Sequence, residues 1–239
     1  MQLALQLIFW AIGLPLSVLV IAALLRGGYR LFPVLFAYQI ADFLMTVAGL
    51  PTYIAYYFYH DSSARTRMAQ WFWWDELLMQ PLVYAVVISL IYRATEKASS
   101  RGLLRGALIG GATLAAGASF LFHYHPQIPY GDWMAFWTRD LTFSSAVLDL
   151  ALWGLLLASR VKDLHQLLVS GGLGIQFTGE AIGESLRSMA VQHRSHALSF
   201  AGSFVTTLVD LTALYIIWQA FRSSKPEAAE RAALTVEGQ

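Results

Sequence analysis

Eight of the fifteen acidic side chains in this chain fall inside long apolar runs: Asp42, Asp75, Glu76, Asp140, Asp149, Glu180, Glu184 and Asp210. A carboxylate at the middle of a bilayer costs roughly 3 kcal/mol on insertion scales. Such groups must therefore face the interior of a bundle, where they hold a ligand or ion, carry protons, or tie helices together. Depth sorts them. Asp42, Asp149 and Asp210 stand near the middle of their runs, with Gln39, Gln80 and Gln176 at similar depth. Asp75, Glu76, Asp140 and Glu184 stand near one boundary, and Glu180 lies one turn deeper than Glu184.

Spacing gives direction. Gln176, Glu180 and Glu184 recur every four residues and Arg187 follows three later, so they form one stripe along a helix. Thr142, Ser145 and Asp149 form a second stripe. Ser199, Ser203, Thr206 and Asp210 form a third, and Gln39, Asp42, Thr46 and Gly49 a fourth. Converging stripes predict a polar core of Gln39, Asp42, Gln80, Asp149, Gln176 and Asp210. They also predict a ligand-binding wall of Glu76, Arg139, Asp140, Glu180, Glu184 and Arg187 at the outer end of the third, fifth, sixth and seventh runs. The competing reading is a set of inter-helix hydrogen bonds that only fixes packing. Gly179 and Gly183 form a small-xxx-small pair that admits close helix approach.

Other chemistries find little support. His123-x-His125 and His193-x-x-His196, with Asp132 or Asp140, have donor types suited to a metal, but the spacing is generic and both pairs are expected in loops. No catalytic residue, metal or cofactor is assigned. The lysines are Lys97, Lys162 and Lys225, all expected outside the membrane, so no lysine is placed to form a Schiff base with retinal. The chain has no cysteine, which removes disulfides, thiolate ligands and thiol nucleophiles. A net charge of +1 gives no basis for nucleic-acid binding.

The elements that position these groups are set by composition. Hydrophobic residues make up 57% of the chain and charged residues only 13%, about half the share of a soluble domain. About 20 helical residues cross a bilayer core. Seven runs reach that length: 3–25, 31–58, 71–92, 104–122, 136–159, 164–186 and 197–221. They are continuously apolar, which selects helices over a β-barrel. The first run has no lysine or arginine before Arg26, so it reads as a retained span and not a cleaved signal. The expected fold is all-α, a polytopic membrane bundle of about seven helices over residues 1–222, with a polar tail at 223–239.

Cations orient it. Arg26, Arg30, Arg93, Lys97, Arg101, Arg105, Arg160, Lys162, Arg222, Lys225 and Arg231 fall on one side, and Arg65, Arg67, Arg139, Arg187 and Arg194 on the other. The positive-inside rule places the eleven in the cytoplasm, with the N-terminus outside and the C-terminus inside. Tyrosines at 53, 56, 57 and 59 and the cluster Trp71, Phe72, Trp73, Trp74 mark one outer interface, and Trp133, Phe136 and Trp137 the next.

Residues 71–93, WFWWDELLMQPLVYAVVISLIYR, resemble a segment of an uncharacterised family of bacterial seven-helix integral membrane proteins. Trp73, Trp74, Glu76, Ile91 and Tyr92 carry the likeness. A short basic link before a Gly-rich sixth helix with Glu180 is similar too, and about half the chain is covered. The resemblance implies a seven-helix bundle in a bacterial inner membrane and no particular activity. The function expected from the residues is that of a non-enzymatic, receptor-like or accessory bundle. Its outward-facing polar and aromatic pocket would take an amphipathic or apolar ligand or a partner membrane protein. The alternatives are a small transporter or ion pathway using the midplane carboxylates, and a membrane-embedded metal-dependent hydrolase.

Overall fold

The computed structural model describes residues 2–58, 62–95, 101–124, 130–158 and 164–222, and among these every regular element is a helix. The first helix, α1, spans 2–31 with two π turns, Phe9–Gly13 and Leu24–Gly28, set into it. The first π turn precedes Pro15, whose ring has no N–H to give and crowds the carbonyl four residues back. Gly27 then takes φ +137°, a conformation that costs a glycine least. Phe32 leaves the helix at φ −128° and ψ 64°, outside the α region that a following proline disfavours, and Pro33 opens the next helix. The remaining helices are α2 (Pro33–Phe58), α3 (Ser62–Ala94), α4 (Arg101–His123), α5 (Tyr130–Ala158), α6 (Leu164–His193) and α7 (His196–Arg222).

Several helices outrun the expected spans. α3 begins nine residues before Trp71 and α6 continues past Arg187 to His193. His123 and His193 accordingly end helices and His196 begins one, instead of lying in loops. Among the described residues, six helices are long and apolar enough to cross a membrane, so the chain is a multi-pass membrane protein. The exception is α6, which is 30 residues long but carries Gln166, Gln176, Glu180, Glu184 and Arg187.

The outer surface agrees with a lipid environment. Leu103, Leu114, Phe122 and Leu150 are 82%, 74%, 78% and 72% exposed, too much apolar surface for water. Lipid tails are as apolar as leucine, so helices associate through close packing and hydrogen bonds instead of through water release. α6 and α7 show this best. A Cβ added at Gly202 would stand 2.7 Å from the Gly183 carbonyl oxygen, and one at Gly179 would collide with Val209. Only glycine allows these backbones to meet so closely, as the small-xxx-small spacing predicts. The turn between them is two residues long. Arg194 takes a left-handed φ of 48°, and the Ser195 N–H reaches back 3.0 Å to the Ala190 carbonyl, closing the helix in a Schellman-type turn.

One half of the bundle is densely packed. Val20, Leu24, Leu35, Val86, Val87, Leu90, Leu152, Leu173 and Ile217 are almost inaccessible and pack as one core. Gln166 crosses it, donating from Nε2 to the Leu90 carbonyl at 2.6 Å. At this end Arg93 donates to the Leu31 carbonyl at 2.8 Å and lies over the Phe32 ring. Arg105 donates to the Tyr92 carbonyl at 2.6 Å and covers the Tyr92 ring. The guanidinium groups thus satisfy helix-end carbonyls that lack an intrahelical donor.

Candidate functional site

The other half of the bundle holds a cavity of about 380 Å³, within the size range of small-molecule sites. Every helix except α4 contributes to its wall. The contributors come from the N-terminal parts of α1 and α5, the middle of α2, α3 and α7 and the C-terminal half of α6, so the cavity opens at one end of an alternating bundle and reaches past its middle. Its floor lies at Val83 and Leu214, next to the packed core.

Helical spacing explains which side chains reach it. On α6, Gln176, Glu180, Glu184 and Arg187 all line the wall, the stripe read from the sequence. On α2 the steps are Tyr38, Asp42, Met45, Thr46 and Tyr53, with Gln39 beside Tyr38; on α7 they are Thr206, Asp210 and Leu214. On α3, Trp71, Asp75, Met79 and Val83 recur every four residues, and Gln80 joins them. Arg139 and Thr142 reach it from α5. The wall therefore combines five carboxyl groups (Asp42, Asp75, Glu180, Glu184 and Asp210) with two guanidinium groups. Phe9, Trp10, Trp71, Phe72 and Trp73 give it an aromatic side.

Hydrogen bonds order part of this wall. Gln176 Nε2 donates to Glu180 Oε1 at 3.0 Å and reaches the Tyr38 hydroxyl at 3.4 Å, which joins α6 to α2. Arg187 pairs with Glu184 one turn away on the same helix. Buried acceptor atoms of the wall are left over. Gln39 is 2% exposed, and its Oε1 accepts no hydrogen bond from any described residue; the same holds for Asp210 Oδ1.

Among the twelve residues predicted for the site, nine line this cavity: Gln39, Asp42, Gln80, Arg139, Gln176, Glu180, Glu184, Arg187 and Asp210. Asp140 and Asp149 lie elsewhere. Asp140, one position and about 100° from Arg139, turns to α4. There it accepts from Ser119 Oγ at 2.8 Å and lies 3.7 Å from His123 Nδ1 and 3.9 Å from Arg139 Nη2. It lines a smaller cavity of about 240 Å³ on the flank of α5 and α6, which shares Arg139, Thr142 and Glu184 with the main one. Asp149 is buried in the bundle but not in the cavity. The stripe that puts Thr142 on the wall continues two turns past Thr142, where Ser170 donates to Asp149 Oδ1 at 2.8 Å. The side chain of Glu76 lies outside the described residues, as do His60, His125, Asp132, Trp133, Phe136 and the tail 223–239.

Position along the helices did not single out several wall residues. Gln6, Phe9 and Trp10 lie on a first helix without any charged residue before Arg26, so nothing in its pattern distinguishes a cavity side. Asp75 was legible in the four-residue spacing Trp71-Asp75-Met79-Val83, which points it to the same side as the tryptophan. No group of three or more His, Asp or Glu side chains among the described residues is arranged to hold a metal ion. Comparison with family models, with curated proteins and with solved structures finds no match to this chain.

Proposed function

We propose that this protein is a receptor-like or accessory seven-helix bundle that binds a small amphipathic ligand in a pocket facing the outside of a bacterial inner membrane. The observation that carries the reading is the cavity itself: apolar and aromatic walls with a few convergent polar groups are the usual makeup of a ligand site. In this reading α6 crosses as a seventh span although it is too polar to do so alone, because its polar stripe lines the cavity and its glycines lie against α7. The cation distribution supports an N-terminus outside and a C-terminus in the cytoplasm. The basic, cytoplasmic half is then the packed half.

That asymmetry favours binding over conduction. A transport route through the bundle needs polar groups or water on both sides of the midplane carboxylates. Below Val83 and Leu214 the path instead meets Val86, Val87, Leu90, Leu173 and Ile217, and the polar groups buried among them, such as Gln166 and the Ser170–Asp149 pair, are bonded within the packing. A pocket that ends blindly suits a protein that senses a ligand and passes the signal to a partner through helix packing.

Thiol labelling tests the reading, since the chain has no cysteine of its own. Thr46 lines the cavity, whereas Leu44 is 56% exposed on the outer surface. A charged, membrane-impermeant thiosulfonate reacts with a thiolate only where water reaches it. Added from outside to intact cells, it should modify Thr46→Cys and leave Leu44→Cys unmodified. Equal inertness of the two would remove the outward pocket.

A further inference from the structure

We infer that the ligand is an amphipathic primary ammonium ion, its nitrogen held at the cavity floor by Gln39 and Asp210 and its apolar part lying along the aromatic wall; this rests on the pocket proposed above. The first observation is a mismatch of donors and acceptors. Gln39 is 2% exposed and lines the cavity, yet its Oε1 accepts no hydrogen bond from any described residue. Asp210 Oδ1 is in the same position. Buried acceptors without donors are costly, so an occupant that supplies N–H groups is favoured over one that supplies more acceptors.

Charge points the same way. Asp42 and Asp210 are on the deeper part of the wall, while the guanidinium groups of the wall belong nearer the mouth. Arg187 packs its Cγ against Gly202, eight residues and therefore about 12 Å before Asp210 along α7. Arg139 stands beside Asp140, with 3.9 Å between the guanidinium and the carboxylate. A monovalent cation at the floor would complement the clustered carboxyl groups of Asp42, Glu180 and Asp210, whose charge the nearby Arg187, itself paired with Glu184, offsets only in part.

The aromatic and lateral features select an organic cation over a bare metal ion. Trp10 and Trp71 give the wall above the polar floor a large apolar area. Arg139, Thr142 and Glu184 line both the main cavity and the smaller one on the flank of α5 and α6. These three residues thus form a shared wall between the main cavity and the flank of α5 and α6. A primary ammonium carries three donors, whereas a quaternary ammonium has charge but no N–H and leaves both acceptors unanswered.

The experiment uses the full chain in lipid nanodiscs, with thermal unfolding and calorimetric titration as readouts. The probes are n-hexylammonium, hexyltrimethylammonium, hexanol, hexanoate and sodium ion at matched ionic strength. The expected result is saturable binding of hexylammonium at least about tenfold tighter than any other probe. Asp210→Asn, which keeps the shape of the side chain, should weaken hexylammonium binding by about tenfold or more. Gln39→Leu should do the same. If one variant fails to fold, the other and the probe series on the native chain still decide. Binding of hexanol or hexanoate as tight as that of hexylammonium would overturn the ammonium assignment and leave the pocket standing. Equal protection by sodium alone, or by hexyltrimethylammonium, would overturn it too. No binding by any probe, together with inert Thr46→Cys, would remove the pocket reading itself.

Discussion

Ser170 on α6 donates a 2.8 Å hydrogen bond to Asp149 on α5, and both side chains are buried inside the bundle below the cavity. A Cβ added at Gly174, one turn beyond Ser170, would stand 2.7 Å from the other carboxyl oxygen of Asp149. The acid is thus seated in a socket made by one helix for the other. Its depth matches that of Asp42 and Asp210, but its partners are those of a packing element.

The first prediction separates these two kinds of acid. Ser170→Ala should lower stability by about 1–3 kcal/mol, because it leaves a buried acceptor without its donor. Asp149→Asn keeps an oxygen to accept that bond and should cost less than Ser170→Ala, with ligand affinity unchanged. Unfolding in mixed detergent micelles and the binding titration together check this. A loss of affinity in Asp149→Asn as large as in Asp210→Asn would move Asp149 into the site.

The second prediction concerns the seam of α6 and α7. Gly202→Ala places a methyl 2.7 Å from the Gly183 carbonyl and 2.9 Å from Arg187 Cγ. Overpacking of this kind costs about 1–3 kcal/mol. Gly110→Ala on α4, where nothing lies within 4 Å of the added carbon, should be neutral or slightly stabilising. Equal effects at the two sites would show that α6 and α7 are not in backbone contact.

Arg194 supplies a third. A non-glycine residue at a left-handed φ costs about 1 kcal/mol, so Arg194→Gly should stabilise the chain by about 0.5–1 kcal/mol. The denaturation midpoint measures it directly. A destabilised Arg194→Gly would mean that the arginine side chain contributes more than its backbone strain costs.

Orientation is the fourth. A reporter that is active only in the cytoplasm should give signal when fused after Gln239 and none when inserted beside Ser63, in the first turn of α3. The expectation follows from eleven cations on one side against five on the other. The opposite pattern would invert the bundle and place the cavity on the cytoplasmic side.

The sequence by itself determined the helical membrane class, because a 57% hydrophobic chain with continuous apolar runs has no other way to satisfy its backbone in lipid. It also determined the wall of α6, since four-residue spacing leaves Gln176, Glu180 and Glu184 only one common side. Helix ends were less legible. Residues 62–70 and 187–193 are polar enough to read as loops, yet α3 starts at Ser62 and α6 runs on to His193, where the Arg194 turn closes it. What only the tertiary structure decided is which stripes meet. Spacing and depth are properties of one helix, whereas convergence depends on how each helix is rotated against its neighbours. Asp140 and Arg139 are adjacent in sequence but face α4 and the cavity respectively. Asp149 and Asp210 share a depth, but one meets Ser170 and the other an acceptor-rich hollow. The rotations come from contacts such as Gly183 against Gly202, whose distance in the chain hides that they touch.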